Sequence, residues 1–131
     1  MSLTIEDHVA IQGLAARYNH AIDSGDADGF LATFVESGVL DAAGMTLEGH
    51  AALKDFASNF ASSTRAPRHV ATNLVIDGDG DQATLKAYVQ MYILSGEPAQ
   101  QTVAASGKYD DILAKEDGTW KFVRRTFTAD S

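Results

Sequence analysis

Cysteine is absent from the chain. That excludes a disulfide framework, a thiolate metal site and a cysteine nucleophile, and it makes no demand on the redox state of the compartment. Basic residues are the minority, 10 Lys and Arg against 18 Asp and Glu, for a formal charge of −8. Such a surface repels phosphate backbones and anionic lipid, so neither nucleic acid nor a membrane is expected as a partner. No apolar run approaches the length of a membrane span. The opening Met-Ser-Leu-Thr-Ile-Glu-Asp lacks the basic region and apolar stretch of a signal peptide, and the expectation is a soluble cytoplasmic protein. Internal repeats and low-complexity segments are missing too. There is no Gly-rich phosphate loop, no His-Glu-x-x-His and no Gly-x-Ser-x-Gly, so nothing calls for a cofactor. Asp77-Gly-Asp-Gly-Asp81 opens like a calcium loop, but its sixth position is Gln82 and its twelfth Tyr88, and a solvated hairpin turn is the better reading.

What is present is enough for one domain spanning 1–131: 45% of the residues are hydrophobic, and a chain of this length buries a real core. Ile11, Leu14, Tyr18 and Ile22 step by three or four, the period of a helix with one buried stripe. Thr4 to Asp7 reads as a capping box at its start. Gly25 stops it near Ser24, because a left-handed residue there carries no Cβ penalty, and Asp26 then caps a second helix running to about Val35. Val39 to Asp41 and Met45 to Glu48 read as short strands around Ala42-Ala-Gly44, and His50 to Phe60 returns to helical spacing. From Arg68 the chain is rich in Val, Ile, Thr and Tyr between Asp-Gly and Gly-Glu-Pro turns. Four strands are expected, about Arg68 to Ile76, Gln82 to Leu94, Gln101 to Ala114 and Thr119 to Thr128. Helices first and an antiparallel meander afterwards is the α+β pattern, with helices on one face of a curled sheet and a pocket between them.

Several residues carry potential chemistry. His69 opens a strand behind Pro67, and strict alternation puts it on one face with Ala71, Asn73 and Val75, opposite Val70, Thr72, Leu74 and Ile76. Small neighbours leave room for a ligand, and a purely structural histidine is the alternative reading. His8 and His20 fall off the apolar stripe, and His50 opens a helix, so these are weaker. Tyr18 lies on the stripe, where a core aromatic is the plainer reading. Asp23 opposes the helix dipole in the last turn and needs a positive partner or a local cap. Five residues separate it from Tyr18, so both serve one pocket only from its two flanks. Asp110 and Asp111 are adjacent in a strand, one to each face, and the inward one is either functional or balanced by Arg124 or Arg125.

Together these stretches resemble a known family. Arg17-Tyr18, Ile22-Asp23-Ser-Gly-Asp26, Gly49 before a helix, Arg68-His69 before Asn73, Asp77-Gly78, Gly107-Lys-Tyr109-Asp-Asp111 and Asp117-Gly-Thr-Trp120-Lys look like a SnoaL-like protein of the NTF2-like superfamily. The resemblance implies a cone-shaped α+β barrel, three N-terminal helices on a curved, mostly antiparallel sheet with a deep pocket, often as a homodimer or trimer. Within the superfamily, Asp23 and His69 fall on the Asp-His pair of the branch with scytalone dehydratase, bile acid dehydratase and a dehydrochlorinase. Tyr18 matches the bile acid dehydratase tyrosine, whereas a second carboxylate of that enzyme falls on Met91. The dehydrochlorinase's lysine and arginine are replaced by Tyr18 and Glu116. Ketosteroid isomerase is the second relative: Tyr18 and Asp110 fall on its oxyanion hole, but Ala42 stands at its general base, with Asp41 one residue early.

The resulting expectation is a cofactor-independent lyase, a dehydratase, acting on a small hydrophobic cyclic hydroxy or keto compound. His69 would be the general base, Asp23 its orienting carboxylate and Tyr18 the acid, with Asn73, Asp110 and Arg125 as substrate-binding residues and no metal. An isomerase, a non-catalytic ligand-binding module and a structural subunit like the β subunit of ring-hydroxylating dioxygenases are the rivals.

Overall fold

The computed structural model describes all residues, Met1–Ser131. The first helix, α1 (Ile5–Ser24), is fixed at both ends by local chemistry. Thr4 Oγ1 accepts from the Asp7 amide and Asp7 Oδ2 from the Thr4 amide, both at 3.0 Å, a complete capping box. Gly25, at φ 74°, closes the last turn. Asp26 Oδ1 then accepts from the Gly29 amide at 2.9 Å and caps α2 (Ala27–Ala32).

The second helix is shorter than its apolar spacing predicts. Phe34 already belongs to β1 (Phe34–Ala42), which runs parallel to the last strand with Phe34 opposite Phe122. Thr33 turns the chain: its hydroxyl donates back to the Phe30 carbonyl at 2.6 Å, and its own carbonyl accepts from the Phe122 amide at 2.8 Å. Sheet pairing thus overrides helical periodicity, and Glu36 to Gly38 form an irregularity inside β1. After β2 (Met45–Glu48) comes α3 (Gly49–Ser63), and then β3 (Arg68–Asp79), β4 (Gln82–Ser95), β5 (Gln100–Glu116) and β6 (Thr119–Ala129).

The six strands form one sheet in the order β2-β1-β6-β5-β4-β3, antiparallel except for β1 beside β6. Each ladder from β1–β6 across to β3–β4 carries one register break. Such breaks bend strands, and they curve this sheet around its helices. The core fills the concave side, where Ile11, Leu14 and Ile22 of α1 and Leu53 of α3 meet Leu85, Leu113 and Phe122 of the sheet. This is the α+β architecture expected from the sequence.

One break corrects the face assignment of β3. Asn73 has φ 57° and sits within the shift between Thr72 and Val75. A residue in left-handed conformation adds one position to the strand and reverses the alternation beyond it. His69 and Ala71 stay inward, but Leu74 and Ile76 follow them onto the core while Val75 stands outside.

Candidate functional site

The last turn of α1 and the first residues of β3 lie side by side, and there the two most informative polar residues meet. His69 Nδ1 is 2.5 Å from Asp23 Oδ1, and the His69 backbone amide donates to Asp23 Oδ2 at 2.8 Å. Both carboxylate oxygens are thereby used, which sets the plane of the carboxylate and the orientation of the ring. An Nδ1–H donated to a carboxylate leaves Nε2 as the basic nitrogen. Nε2 has no hydrogen-bond partner in the protein and is not sealed off. The hydrogen-bonding partner that Asp23 calls for at a helix C-terminus is therefore an imidazole 46 residues away.

His69 forms part of the wall between two spaces. On one side is an apolar cavity of about 210 Å³ whose other lining residues, among them Tyr18, Val89, Met91, Tyr109 and Phe127, are all apolar or aromatic. Its outer end lies between the β1–β2 turn, with Ala43 and Met45, and α3, with Phe56 and Phe60. The Phe60 ring packs on the imidazole at 5.7 Å between centroids. On the other side is a more polar groove of about 830 Å³ between α1 and β3, lined by Asn19, His20, Asp23 and Arg68 among others. Tyr18 faces the first space and Asp23 the second, the two-flank arrangement that their spacing permits.

Tyr18 is also core. It is 3% exposed and packs against Phe30, Phe34, Tyr109 and Phe122 with centroids 5.1 to 6.1 Å apart. Burial pushes its phenol well above the ordinary tyrosine value, and the neighbouring Tyr109 adds to that, so it is held as a proton donor.

Below the cavity lies a second carboxylate pair. Arg125 Nε donates to Asp111 Oδ1 at 3.1 Å with both side chains fully enclosed. Asp111 Oδ2 and both terminal nitrogens of Arg125 find no partner. Burial pushes the Asp111 carboxyl up to about 6 even though the guanidinium beside it pulls the other way. Of the two adjacent aspartates, Asp111 is thus the inward one and Asp110 stands exposed on the outer face opposite Lys86.

The structure therefore brings Tyr18, Asp23 and His69 to one site and leaves the three expected binding residues elsewhere. Asn73 is exposed at the bulge, Asp110 points away from the cavity, and Arg125 lies behind the tyrosine rings and does not line it. Ala42 lines the cavity, whereas Asp41 pairs with Arg124 and accepts from Thr46. The isomerase constellation is not assembled. Met91 does line the cavity, so a thioether occupies the wall where the resemblance puts a carboxylate. Tyr109 was not anticipated, although it alternates with Asp111 on β5, a signal that would have found it. Among these residues no cluster of His, Asp and Glu could hold a metal ion.

The family profile of the SnoaL-like domain matches residues 3–126. No curated protein matches the chain. Among solved structures, it is similar to a protein of unknown function from Mycobacterium tuberculosis, at 31% identity and a TM-score of 0.91, covering 95% of this chain and 72% of that one. A candidate aromatic ring hydroxylase from Novosphingobium aromaticivorans is similar at 30% identity and TM-score 0.86, covering 98% and 92%. A candidate scytalone dehydratase from the same organism, at 23% identity and TM-score 0.86 over 97% and 86%, shares the fold.

Proposed function

The chain belongs to the SnoaL-like domain family, and on that premise we propose that its apolar cavity is the active site of a cofactor-independent lyase, a dehydratase of a small hydrophobic cyclic hydroxy ketone. The observation that carries this reading is the Asp23–His69 pair at the wall of a cavity that also presents a protonated phenol. Asp23 holds the imidazole in the tautomer whose Nε2 accepts a proton, and it stabilises the imidazolium that forms. A proton next to a carbonyl passes to Nε2, its electron pair moves toward the carbonyl oxygen, and the β-hydroxyl leaves as water. Tyr18 donates to the carbonyl oxygen or to the departing hydroxyl, which its raised pKa allows at neutral pH. The polar groove behind Asp23 supports an exchange of protons with solvent that bypasses the apolar chamber.

The volume of about 210 Å³ suits one ring or two fused rings. It also favours a second reading, a binding module that holds an apolar ligand unchanged. Turnover of cyclic β-hydroxy ketones by the wild type, lost in His69→Ala, supports the lyase. Tight binding without chemical change, unaffected by Asp23→Asn, supports the module. We further propose a homodimer or trimer, supported by Val70, Tyr88 and Ile112, which stand half-exposed on the outer sheet face. Light scattering of the purified protein tests it: a monomer would end that proposal.

A further inference from the structure

The polar groove behind Asp23 is framed by a helix and a strand edge running side by side. β3 is an edge strand of the sheet, and α1 lies antiparallel along its free side: Ser2, just before the helix, bridges to Asp79, and Asp23 in the last turn reaches His69. The His69 amide points off that free edge, where the Asp23 carboxylate accepts from it at 2.8 Å. Alternation in an antiparallel ladder turns the Ala71 amide the same way, two residues on and still ahead of the register break after Thr72. One helical turn back from Asp23 is Asn19, about 6 Å away. Two residues along the strand from His69 is Ala71, about 7 Å away. Asn19 therefore stands to Ala71 as Asp23 stands to His69, and all four line the groove. The first edge amide has a carboxylate on it; the second has none from the protein's side chains.

Asn19 also lacks a partner. It is 8% exposed, and its Oδ1 is enclosed without a hydrogen bond. An orphaned acceptor is costly, and a ligand that brings an O–H offsets that cost once a turn of the amide presents the oxygen to the groove. The charge at this end favours an anion. Of the 18 Asp and Glu residues only Asp23 lines the groove, and both of its oxygens are taken by His69. Arg68 stands beside them, with Nη1 donating to the Pro67 carbonyl at 2.8 Å and no carboxylate paired to it. Toward the other end the walls become small and apolar, with Ala15, Ala16 and Leu74.

We propose that this groove is a second ligand site, distinct from the apolar cavity, for a small 2-hydroxycarboxylate with an apolar body. The ligand carboxylate repeats on the Ala71 amide what Asp23 does on the His69 amide, with the Arg68 guanidinium as its counter-charge. The ligand hydroxyl donates to Asn19 Oδ1, and the apolar body lies along Ala15, Ala16 and Leu74. A space of about 830 Å³ admits an acid of one aromatic ring. The site stands whether the cavity belongs to a lyase or to a binding module, since it uses neither Tyr18 nor His69 Nε2.

The test is an NMR titration of the wild type with mandelate, with phenylacetate as the acid lacking the hydroxyl and mandelamide as the analogue lacking the charge. Mandelate should shift the Ala71 amide and the Asn19 side-chain amide and leave the methyls of Met91 and Ala105, in the cavity, where they are. It should bind about tenfold more tightly than mandelamide, as for a charge-assisted hydrogen bond, and about threefold or more tightly than phenylacetate. Arg68→Gln should erase the first preference and Asn19→Ala the second. The ligand series on the wild type reads both preferences even where a variant fails to fold. Mandelate bound no better than mandelamide or phenylacetate, shifts centred on Met91 and Ala105 rather than Ala71, or no binding at all overturns the site.

Discussion

Two carboxylate pairs flank the ring of Tyr18, and they are built for opposite ends. Asp23 and His69 are 12% and 13% exposed at the side chain, while Asp111 and Arg125 are both at 0%. The outer pair joins an acid to a base that can be neutral, and both of its carboxylate oxygens are used. The inner pair joins an acid to a permanent cation and leaves polar atoms of both partners unmet. The first can therefore exchange a proton with whatever enters either of the two spaces it borders. The second is sealed by aromatic rings, so its guanidinium charge acts on the surroundings only through the rings that enclose it. Reach to solvent, more than residue type, separates a group that reacts from one that biases its surroundings.

The sharpest way to break this contrast is to remove one partner of the sealed pair. Asp111→Ala leaves a guanidinium buried without a counter-charge, and chemical denaturation at pH 7 should show a loss of about 3–5 kcal/mol. Asp111→Asn keeps an acceptor for Nε and should cost far less. For the outer pair the effect moves from stability to rate. Asp23→Asn should slow turnover of an identified hydroxy ketone about 100-fold or more while costing stability only about 1 kcal/mol. Equal rates in variant and wild type would remove the distinction.

Acidity sharpens the same comparison at a smaller scale. Asp111 has a folded value of about 6, above the unsalted reference of 3.8, so its contribution to stability is present below 3.8 and is lost as pH rises through about 6. Asp7 behaves oppositely: its carboxyl is held well below the carboxylate range by the Thr4 amide and by Trp120, so its contribution is present above 3.8 and lost toward lower pH. Denaturation midpoints of the wild type minus those of Asp111→Asn should therefore decline between pH 4 and 6.5 and level off above. Least of all, Asn73→Gly relieves a left-handed backbone outside both pairs and should stabilise by roughly 0.5–1 kcal/mol with no change in turnover. A change in rate there would mean that the bulge helps to place His69.

Much of this was legible in the residues because the governing chemistry is local. Thr4, Asp7, Gly25 and Asp26 announce the ends of α1 within three or four positions, and the glycine-rich turns bracket β3 to β6 within a few residues. Asp23 and His69 were legible through the family resemblance and through the misfit of an acid at a helix C-terminus. Phe34 was misplaced because pairing with Phe122, 88 positions later, decides its state. Alternation failed at Asn73, a residue that tolerates left-handed backbone, but nothing in the flanking Thr72 and Leu74 marks the extra position. Arg125 could not be told from Arg124 by type, since only the inward turn of the strand separates a sealed cation from one paired with Asp41 at the surface.

The capping box at the start of α1 reaches further than its own turn. Asp7 Oδ1 accepts from Trp120 Nε1 at 3.0 Å and from Lys115 Nζ at 3.2 Å, so one carboxylate anchors the first helix to the last hairpin. A chain leaving the ribosome makes Asp7 more than a hundred residues before Trp120, and throughout that interval the helix lacks its lock. Contacts so distant in sequence are slow to close and leave apolar surface open meanwhile. For this carboxylate, vectorial synthesis gains little: its side-chain partners on the last hairpin are made only near the end of the chain.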